Sequence, residues 1–470
     1  MADQPVHETW LSSDRRIPSR FVRPLLRFTQ VEAAGGIILL IAAIAALIWA
    51  NLPDALGEPY EDLWETHIDL VIGPIHFEET LREFVNDGLM AIFFLVVGME
   101  IKRELVIGDL RDPRRAALPA IGALGGMVVP ALAYILIVGG GEAARGWGIP
   151  MATDIAFSVG VVALLGTRVP VGAKLFLLAL AIVDDIGAIA VIAVFYTEDV
   201  SLLWLALAVA GLLLIAVATR AGIRYVPFFI GLGFFTWLFL LESGVHATLA
   251  GVAIGLLTPA RPLYSDDDYR MRARWIISRF DMDARDPRAE ERVDDEAMML
   301  SAVARESVSP LTRQEHAIHP WSSFLIVPIF ALANAGINFS GLDLVETATS
   351  TVALGVTAGL VLGKFVGISV FTWLAVRLGL GKLPRHTGWT HVLGVSALAG
   401  IGFTVSLFIT GLAFSDPLIT DQAKTGIFVG SFLAGLLGFL VLRRIKPEPD
   451  GPAPPPHEAP SEDLLASAPE

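Results

Sequence analysis

Apolar stretches of about 20 residues recur along almost the whole of this 470-residue chain. A helix needs about 20 such residues to cross the ~30 Å hydrocarbon layer of a membrane, because it rises ~1.5 Å per residue. Only 17% of the residues are charged, whereas about 25% is usual for soluble proteins, so we interpret the stretches as membrane-spanning helices. The twelve predicted spans are residues 31–51, 84–103, 116–138, 146–166, 172–196, 201–219, 226–241, 244–258, 320–338, 351–376, 390–413 and 424–442.

Basic and acidic segments alternate between these spans. The segment GTRVPVGAK after the fourth span is basic, and YTEDVS after the fifth span is acidic. Because basic segments remain on the cytoplasmic side of a membrane, the alternation predicts that both termini are cytoplasmic. That arrangement requires an even number of spans, and twelve satisfies it.

The chain is predicted to contain one transmembrane domain with two tails. A cytoplasmic tail, the transmembrane domain and a disordered Pro-rich tail are expected at residues 1–25, 26–445 and 446–470. Residues 260–315 carry mixed charges and form a long cytoplasmic loop insertion. Before the second span, IDLVIGPIHFE alternates apolar and polar residues around Gly73 and Pro74, which is typical of a small extracellular hairpin.

Four ionisable side chains lie inside predicted spans: Asp154, Asp184, Asp185 and Lys364. Each costs about 2.5–3.5 kcal/mol at the centre of a span, so such residues normally face the interior of a helix bundle and mark function. One Asp–Lys pair alone could have a structural role. It leaves two further carboxylates, however, and a carboxylate out of water must take up a proton or a cation. Since hard oxygen ligands suit a small hard cation, the set predicts a site where Na⁺ and protons compete without ATP.

Helical geometry separates the two adjacent aspartates. With ~3.6 residues per turn, Asp184 and Asp185 point about 100° apart and cannot face one ion in the same way. One of them can reach the ion while the other reaches a different partner, such as Lys364. The geometry does not say which aspartate has which role.

Two spans carry signals of a broken helix. In GWGIPMATDIAFSVG, Pro150 removes a backbone donor just before Thr153 and Asp154. In SALAGIGFTVSLF, Gly400 and Gly402 interrupt the eleventh span. Discontinuous helices of this kind expose backbone groups beside a cavity in transporters, so we expect two inverted repeats with crossing middle helices. The alternative for the fourth span is a proline kink with a Thr–Asp cap.

A second group of charges is expected at the cytoplasmic ends of the second and ninth spans. Histidine titrates near pH 6.5, so a mixed cluster there could sense internal pH, although ordinary interfacial charges explain the spacing equally well. A lone histidine among apolar residues, such as His246, is more often structural. The members of the group are Glu100, Lys102, Arg103, Glu104, Glu315, His316 and His319.

Several other classes of protein are disfavoured. The segment GLVLGK, residues 359–364, is one residue shorter than a phosphate loop and is followed by Phe365 where Ser or Thr is required. Its glycines, Gly359 and Gly363, are better explained by close helix packing. The chain has no cysteine and no HExxH or GxGD motif, so thiol chemistry and intramembrane proteolysis are not expected. The net charge of −14 is spread over loops and tail, and nothing indicates a nucleic acid or nucleotide partner.

These stretches together resemble the NhaA family of bacterial Na⁺/H⁺ antiporters, from about residue 20 to 443 apart from most of 262–312. The resemblance implies an all-α protein of about 12 transmembrane helices in the inner membrane, with inverted repeats and broken, crossing helices in spans 4 and 11. It also implies electrogenic antiport that takes in more than one proton per Na⁺ or Li⁺ expelled, and no cofactor beyond these ions. The matching segments are NDGLMAIFFLVVGMEIKREL, IPMATDIAF, LALAIVDDIGAIAVIAVFYT, SGVHATLAGV, EHAIHPW, IVPIFALANAG, GLVLGKFVGI and LAGIGFTVSLFI.

The resemblance also implies roles for single residues. Asp185 would be the principal cation ligand, and Asp184 a proton carrier that pairs with Lys364. Asp154 and Thr153 would assist, so that Na⁺ lies among Asp185, Asp184 and Asp154. A pH-response cluster and a dimer contact through the hairpin near residues 68–78 are also implied. The residues of that cluster would be Glu100, Glu104 and Glu315, with Asp87 and Lys102 or Arg103 nearby and His246 as a further candidate.

Two other functions remain possible from the sequence. The first is a Na⁺- or H⁺-coupled transporter of another solute, such as an organic anion, for which Lys364 could supply the positive charge. Three acids to one base in the spans argue against it. The second is a sensor that keeps the fold without transport, and the intact set of four ionisable residues argues against that.

Overall fold

The computed structural model describes residues 34–72, 75–197, 200–279, 289–339 and 343–446. Among these residues, eight helices are long and apolar enough to cross a membrane, and a ninth span consists of two helices bent by 43° at a short break. Three shorter apolar helices coincide with the first, seventh and eighth predicted spans. The chain is therefore a multi-pass, all-α membrane protein, and helices occupy all twelve predicted positions.

The helices are numbered in chain order. They are α1 (Ala34–Ala50), α2 (Asp54–Trp64), α3 (Leu81–Val106), α4 (Pro113–Val138), α5 (Ile155–Leu165), α6 (Val171–Phe195), α7 (Leu202–Arg220), α8 (Val226–Glu242), α9 (Thr248–Leu257), α10 (Asp266–Ile277), α11 (Ala289–Glu306), α12 (Pro310–Asn334), α13 (Leu344–Thr349), α14 (Thr351–Arg377), α15 (Trp389–Leu398), α16 (Phe403–Ala413) and α17 (Pro417–Arg443). A 3₁₀ helix, Glu142–Met151, precedes α5.

The ninth span begins ten residues earlier than predicted. Its helix, α12, starts at Pro310 because Pro310 suits the first helical position and the Ser309 hydroxyl accepts a hydrogen bond from the Thr312 amide at 3.1 Å. The polar residues that suggested a loop are thus the first turns of a long helix. The predicted 260–315 insertion is correspondingly shorter and contains the helices α10 and α11.

The expected hairpin before the second span is confirmed. Strand β1 (His67–Ile72) pairs in antiparallel register with β2 (Ile75–Thr80). The turn residues Gly73 and Pro74 lie outside the described part of the chain. Thr80 then begins α3 with a capping box, in which its hydroxyl accepts from the Glu83 amide and the Glu83 carboxylate accepts from the Thr80 amide.

Helices α4 and α14 touch backbone to backbone. A Cβ on Gly363 would lie 2.7 Å from Cα of Pro130, and one on Gly125 would overlap the carbonyl of Gly367. The glycines of the GLVLG stretch are therefore packing residues, as predicted. The same stretch, Gly359–Gly363, is a π-turn that leads directly into Lys364, so this packing fixes where the lysine enters the bundle.

Glu79, near the end of β2, has a partly buried carboxyl group that lacks a full set of hydrogen-bond partners within the described structure. Its Oε2 atom is buried and has no hydrogen-bond partner among the described residues. Burial raises the pKa of Glu79 to about 7, and the negative charges of Asp87, Glu83 and Glu242 add to the effect. Because the folded protein keeps a proton that the unfolded chain releases near 4.5, the stability that this group contributes is complete below that pH and is lost as pH rises through about 7.

We predict that Glu79→Gln raises the melting temperature of the detergent-solubilised protein above about pH 7 and leaves it unchanged below about pH 4.5. The expected gain is at most about 1 kcal/mol, because solvent screens a partly exposed group. Glu78→Gln, at the exposed neighbouring position, is the control. A difference between the Glu79→Gln variant and the unchanged protein that does not vary with pH would contradict the assignment.

Candidate functional site

Two interrupted helices cross in the middle of the molecule. The first break, residues 152–154, lies between the 3₁₀ helix and α5, and the second, residues 399–402, lies between α15 and α16. The Asp154 amide donates to the Ile401 carbonyl at 2.6 Å, and the Thr153 hydroxyl donates to the Ala399 carbonyl at 2.7 Å. Since no water is available inside a membrane, the two breaks satisfy each other's backbone groups. The predicted pair of broken, crossing helices is confirmed.

Asp154 holds the starts of two half-helices together. Its Oδ1 accepts from the Phe157 amide at 3.1 Å, which caps α5. Its Oδ2 accepts from both the amide and the hydroxyl of Thr404, at 3.1 and 2.5 Å, in the first turn of α16. The positive ends of two helix dipoles therefore face one buried carboxylate.

Lys364 and Asp184 form a fully buried ion pair. The Lys364 ammonium donates to Asp184 Oδ2 at 2.5 Å and to the Thr153 hydroxyl at 3.0 Å. Because Thr153 in turn donates to the Ala399 carbonyl, the pair is hydrogen-bonded to the helix crossing. The second carboxylate oxygen of Asp184, Oδ1, has no hydrogen-bond partner in the described part of the chain.

Asp185 faces a different environment from Asp184. It lines a cavity of about 310 Å³ that Asp154, Thr153 and Thr404 also line. Within the residues described, Asp185 makes no hydrogen bond or ion pair, whereas Asp184 is held by Lys364. The predicted separation of the two aspartates is therefore confirmed, and the structure places Asp185 toward the cavity.

Part of the predicted charged cluster assembles at the end of α3. The Arg103 guanidinium donates to the Glu315 carboxylate of α12 and lies 3.9 Å from Glu104. Glu100, one turn earlier in α3, lines the same cavity as Asp185, and so does His319 of α12. The cavity thus extends from the broken helices to the edge of this cluster.

Asp87, His246 and Lys102 are not brought to this cluster. Asp87 precedes Lys102 by about four turns of α3, or about 22 Å along the helix axis, and its carbonyl accepts from the Trp237 indole at 2.8 Å. The His246 ring contacts the Tyr196 carbonyl, just beyond the end of α6, at 2.6 Å. The Lys102 side chain lines a separate cavity. The expectation that these residues join Glu100 and Glu315 is not met.

Three hydroxyl residues at the crossing were not predicted. Thr404 contacts Asp154 directly, the Ser158 hydroxyl donates to the Leu398 carbonyl at 2.9 Å, and the Ser406 hydroxyl donates to the Ile149 carbonyl at 2.7 Å. A search for ionisable residues misses them because they are uncharged. The signal was nevertheless present, since a broken helix inside a membrane needs local donors for its free carbonyls.

Comparison with known proteins identifies the family. Residues 26–442 match the family model described as Na⁺/H⁺ antiporter 1. The chain belongs to this family. It is 45% identical over 446 residues to the Na(+)/H(+) antiporter NhaA of Syntrophobacter fumaroxidans, covering 93% of this chain and 94% of the relative. It is 44% identical over 436 residues to the Na(+)/H(+) antiporter NhaA of Rhodopirellula baltica, covering 92% and 96%. The predicted resemblance to NhaA antiporters is confirmed.

Lys364→Ala is predicted to lower the melting temperature of this NhaA-family protein in detergent. Removing one partner of a buried pair leaves an uncompensated charge, which costs about 3–5 kcal/mol. The double variant Lys364→Ala/Asp184→Asn is expected to recover much of the loss, because no buried charge then lacks its partner. Lys382→Ala, at an exposed position in the loop after α14, is the control. A melting temperature unchanged by Lys364→Ala would rule out the pair.

Proposed function

We propose that this chain is an electrogenic Na⁺(Li⁺)/H⁺ antiporter of the bacterial inner membrane, with both termini in the cytoplasm. The observation that carries the proposal is the division of the charges. Lys364 neutralises Asp184, whereas Asp185 and Asp154 line one cavity without a basic partner of their own among the described residues. Family membership and the names of the relatives support the same activity. The protein is accordingly a transporter and not an enzyme.

Cation binding is assigned to the cavity. Asp185 is the principal ligand of Na⁺ or Li⁺, and Asp154, Asp184 and Thr153 assist it. Hard oxygen ligands of this kind suit a small hard cation. The hydrogen bonds that Thr404 and Phe157 donate to Asp154 hold that carboxylate in place, so it supports the bound ion as a fixed charge.

Proton binding completes the exchange. When the cation leaves, Asp185 lies out of water without a counter-charge, and a proton is the smallest cation that relieves this cost. Asp184 is a second proton carrier, because a proton on its carboxylate releases Lys364. Two carboxylates that take up protons for each cation released make the exchange electrogenic. No cofactor beyond the transported ions is required.

Regulation by cytoplasmic pH is assigned to the cluster at the end of α3. The Arg103–Glu315 ion pair links α3 to α12, Glu104 lies beside Arg103, and Glu100 lines the cation cavity. A change of protonation in this cluster would alter the Arg103–Glu315 ion pair and with it the contact between the two helices. Access to Asp185 would change at the same time, because both helices line the cavity.

The functional unit is proposed to be a dimer in the lipid bilayer, joined through the hairpin near residues 68–78. The observed pairing of β1 with β2 supports this part of the proposal, since a two-stranded hairpin leaves an edge for a second copy.

Transport of an organic anion is the alternative. Such a substrate would need a basic side chain in the site, and Lys364 is the candidate among the predicted residues. Its ammonium is already bound to Asp184 and Thr153. The geometry therefore favours cation exchange.

The decisive experiment uses everted membrane vesicles that hold an imposed pH gradient. Added Na⁺ or Li⁺ should dissipate the gradient, and Asp185→Asn should abolish the response because it removes the charged ligand. Asp62→Asn, at an exposed position in α2, should leave it intact. If neither ion dissipates the gradient at any pH from neutral to alkaline, the antiport proposal fails.

Thr404→Val is predicted to weaken cation binding. The hydroxyl donates to the Asp154 carboxylate at 2.5 Å, and hydrogen bonds to charged groups contribute about 1.5–3 kcal/mol, or about 10- to 100-fold in affinity. The apparent KM for Na⁺ in the vesicle assay should rise accordingly. Thr404→Ser keeps the hydroxyl and should restore a nearly normal KM. An equal rise in KM for both substitutions would contradict a role for this hydrogen bond, because Thr404→Ser keeps the hydroxyl.

A further inference from the structure

Helix α10 of the insertion has one face without a protein partner in the described structure. Its inner face packs against α11, where Ile276 is only 3% exposed. On the outer face Met271 is 63% exposed and Trp275 is 55% exposed. Met271 and Trp275 therefore project from one side of a helix that is otherwise strongly charged, whereas Ile277, also 55% exposed, lies on a different side at its last position.

The arginines of α10 border this apolar strip on both sides. Met271 and Trp275 are four residues apart and so lie above one another on the helix surface. At about 100° per residue, Arg270 and Arg274 fall on one flank of the strip and Arg272 falls on the other, and Arg279 follows in the turn after the end of α10. The Arg279 guanidinium stacks over the Trp275 ring at 4.4 Å, and Arg272 stacks over Tyr264 at 4.5 Å. We name this set, Met271 and Trp275 with the four arginines, the arginine–tryptophan face.

We propose that the arginine–tryptophan face of α10 rests on the anionic lipid surface of the membrane that the protein spans. A narrow apolar strip flanked by arginines is the pattern of a helix that lies in the headgroup layer. Tryptophan prefers that layer because its ring is apolar and its N–H is polar. Arginines on the flanks would meet lipid phosphates, for which the guanidinium geometry is suited.

The connections of the insertion keep α10 close to the membrane. Only residues 258–265 separate the end of α9, a membrane helix, from the start of α10. The Leu263 amide donates to the Glu306 carbonyl at the end of α11. The Glu306 carboxylate pairs with Arg224, in the connection between α7 and α8, and lies 3.9 Å from Arg313 of α12. Both ends of the insertion are thus fixed where membrane helices begin and end.

The acidic residues of α10 are compatible with this placement. Asp266, Asp267 and Asp268 all lie in its first turn, where a helix dipole favours negative charge. Asp268 is also engaged in a capping box with Ser265. Asp267 and Asp268 lie one turn before Met271 on its side of the helix. Residues 269–279 contain four arginines and no acidic residue, so the charge beside Met271 and Trp275 is predominantly positive.

The absence of cysteine from the chain makes a direct test simple. Met271→Cys introduces a single site for a spin label on the proposed face, and Ser301→Cys, at an exposed position on α11, is the matched control. The labelled full-length protein is reconstituted in vesicles of phosphatidylcholine alone or with added phosphatidylglycerol. Collision of each label with oxygen, which concentrates in lipid, is compared with its collision with a water-soluble nickel chelate.

We expect the oxygen-to-nickel collision ratio at residue 271 to exceed that at residue 301 several-fold in vesicles with phosphatidylglycerol, and to be much lower in phosphatidylcholine alone. Arg270→Gln/Arg274→Gln should reduce the ratio at residue 271 in the anionic vesicles.

A ratio equal to that of the control in both kinds of vesicle would overturn membrane contact. A high ratio that is the same with and without phosphatidylglycerol would overturn the proposal that the face binds anionic lipid. In detergent, protection of the label at residue 271 from the nickel chelate that increases with protein concentration would indicate contact with a second copy of the chain. That result would also overturn the proposal. Na⁺/H⁺ exchange by the same vesicles is read separately, so the two proposals fail independently.

Discussion

The central constraint on this structure is that a helix interrupted inside a membrane exposes backbone groups that water cannot reach. Each broken helix here satisfies the other. The Asp154 amide binds the Ile401 carbonyl, the Thr153 hydroxyl binds the Ala399 carbonyl, and the Asp154 carboxylate accepts from Thr404. The charged groups of the site depend on this arrangement, because the hydroxyl that caps Ala399 also accepts a hydrogen bond from Lys364. The crossing and the charged site therefore share the Thr153 hydroxyl, and each depends on the position of the other.

The same contacts explain why the two adjacent aspartates behave differently. Asp184 is bound by an ammonium whose position is fixed by Thr153 and by the π-turn that precedes it. Asp185, at the next position of the helix, faces the cavity and has no such partner among the described residues. A single helical step of about 100° thus separates an acid paired with Lys364 from one that must take its counter-charge from solution.

Much of this arrangement could be predicted from the sequence. Burying a charge in a membrane costs free energy, so an ionisable residue within an apolar span indicates a functional position. Asp154, Asp184, Asp185 and Lys364 were found in this way, and Pro150 with the paired glycines indicated the breaks. Uncharged donors such as Thr404 carry no comparable signal. The start of α12 was misplaced because its first turns are polar, and hydropathy cannot distinguish a polar helix from a loop. The family resemblance grouped Asp87 with the cluster at the other end of α3, although about four turns of helix separate it from Lys102.

The glycine contacts between α4 and α14 have a consequence for movement. The backbones of the two helices are in direct contact at Gly125 and Gly367 and at Gly363 and Pro130. No layer of side chains lies between them there that would let one helix slide past the other. These two helices must then travel as one rigid body, and Lys364 is carried on it. Any movement that opens the ion site to one side of the membrane and then to the other has to occur at a different helix interface, where side chains lie between the helices that move.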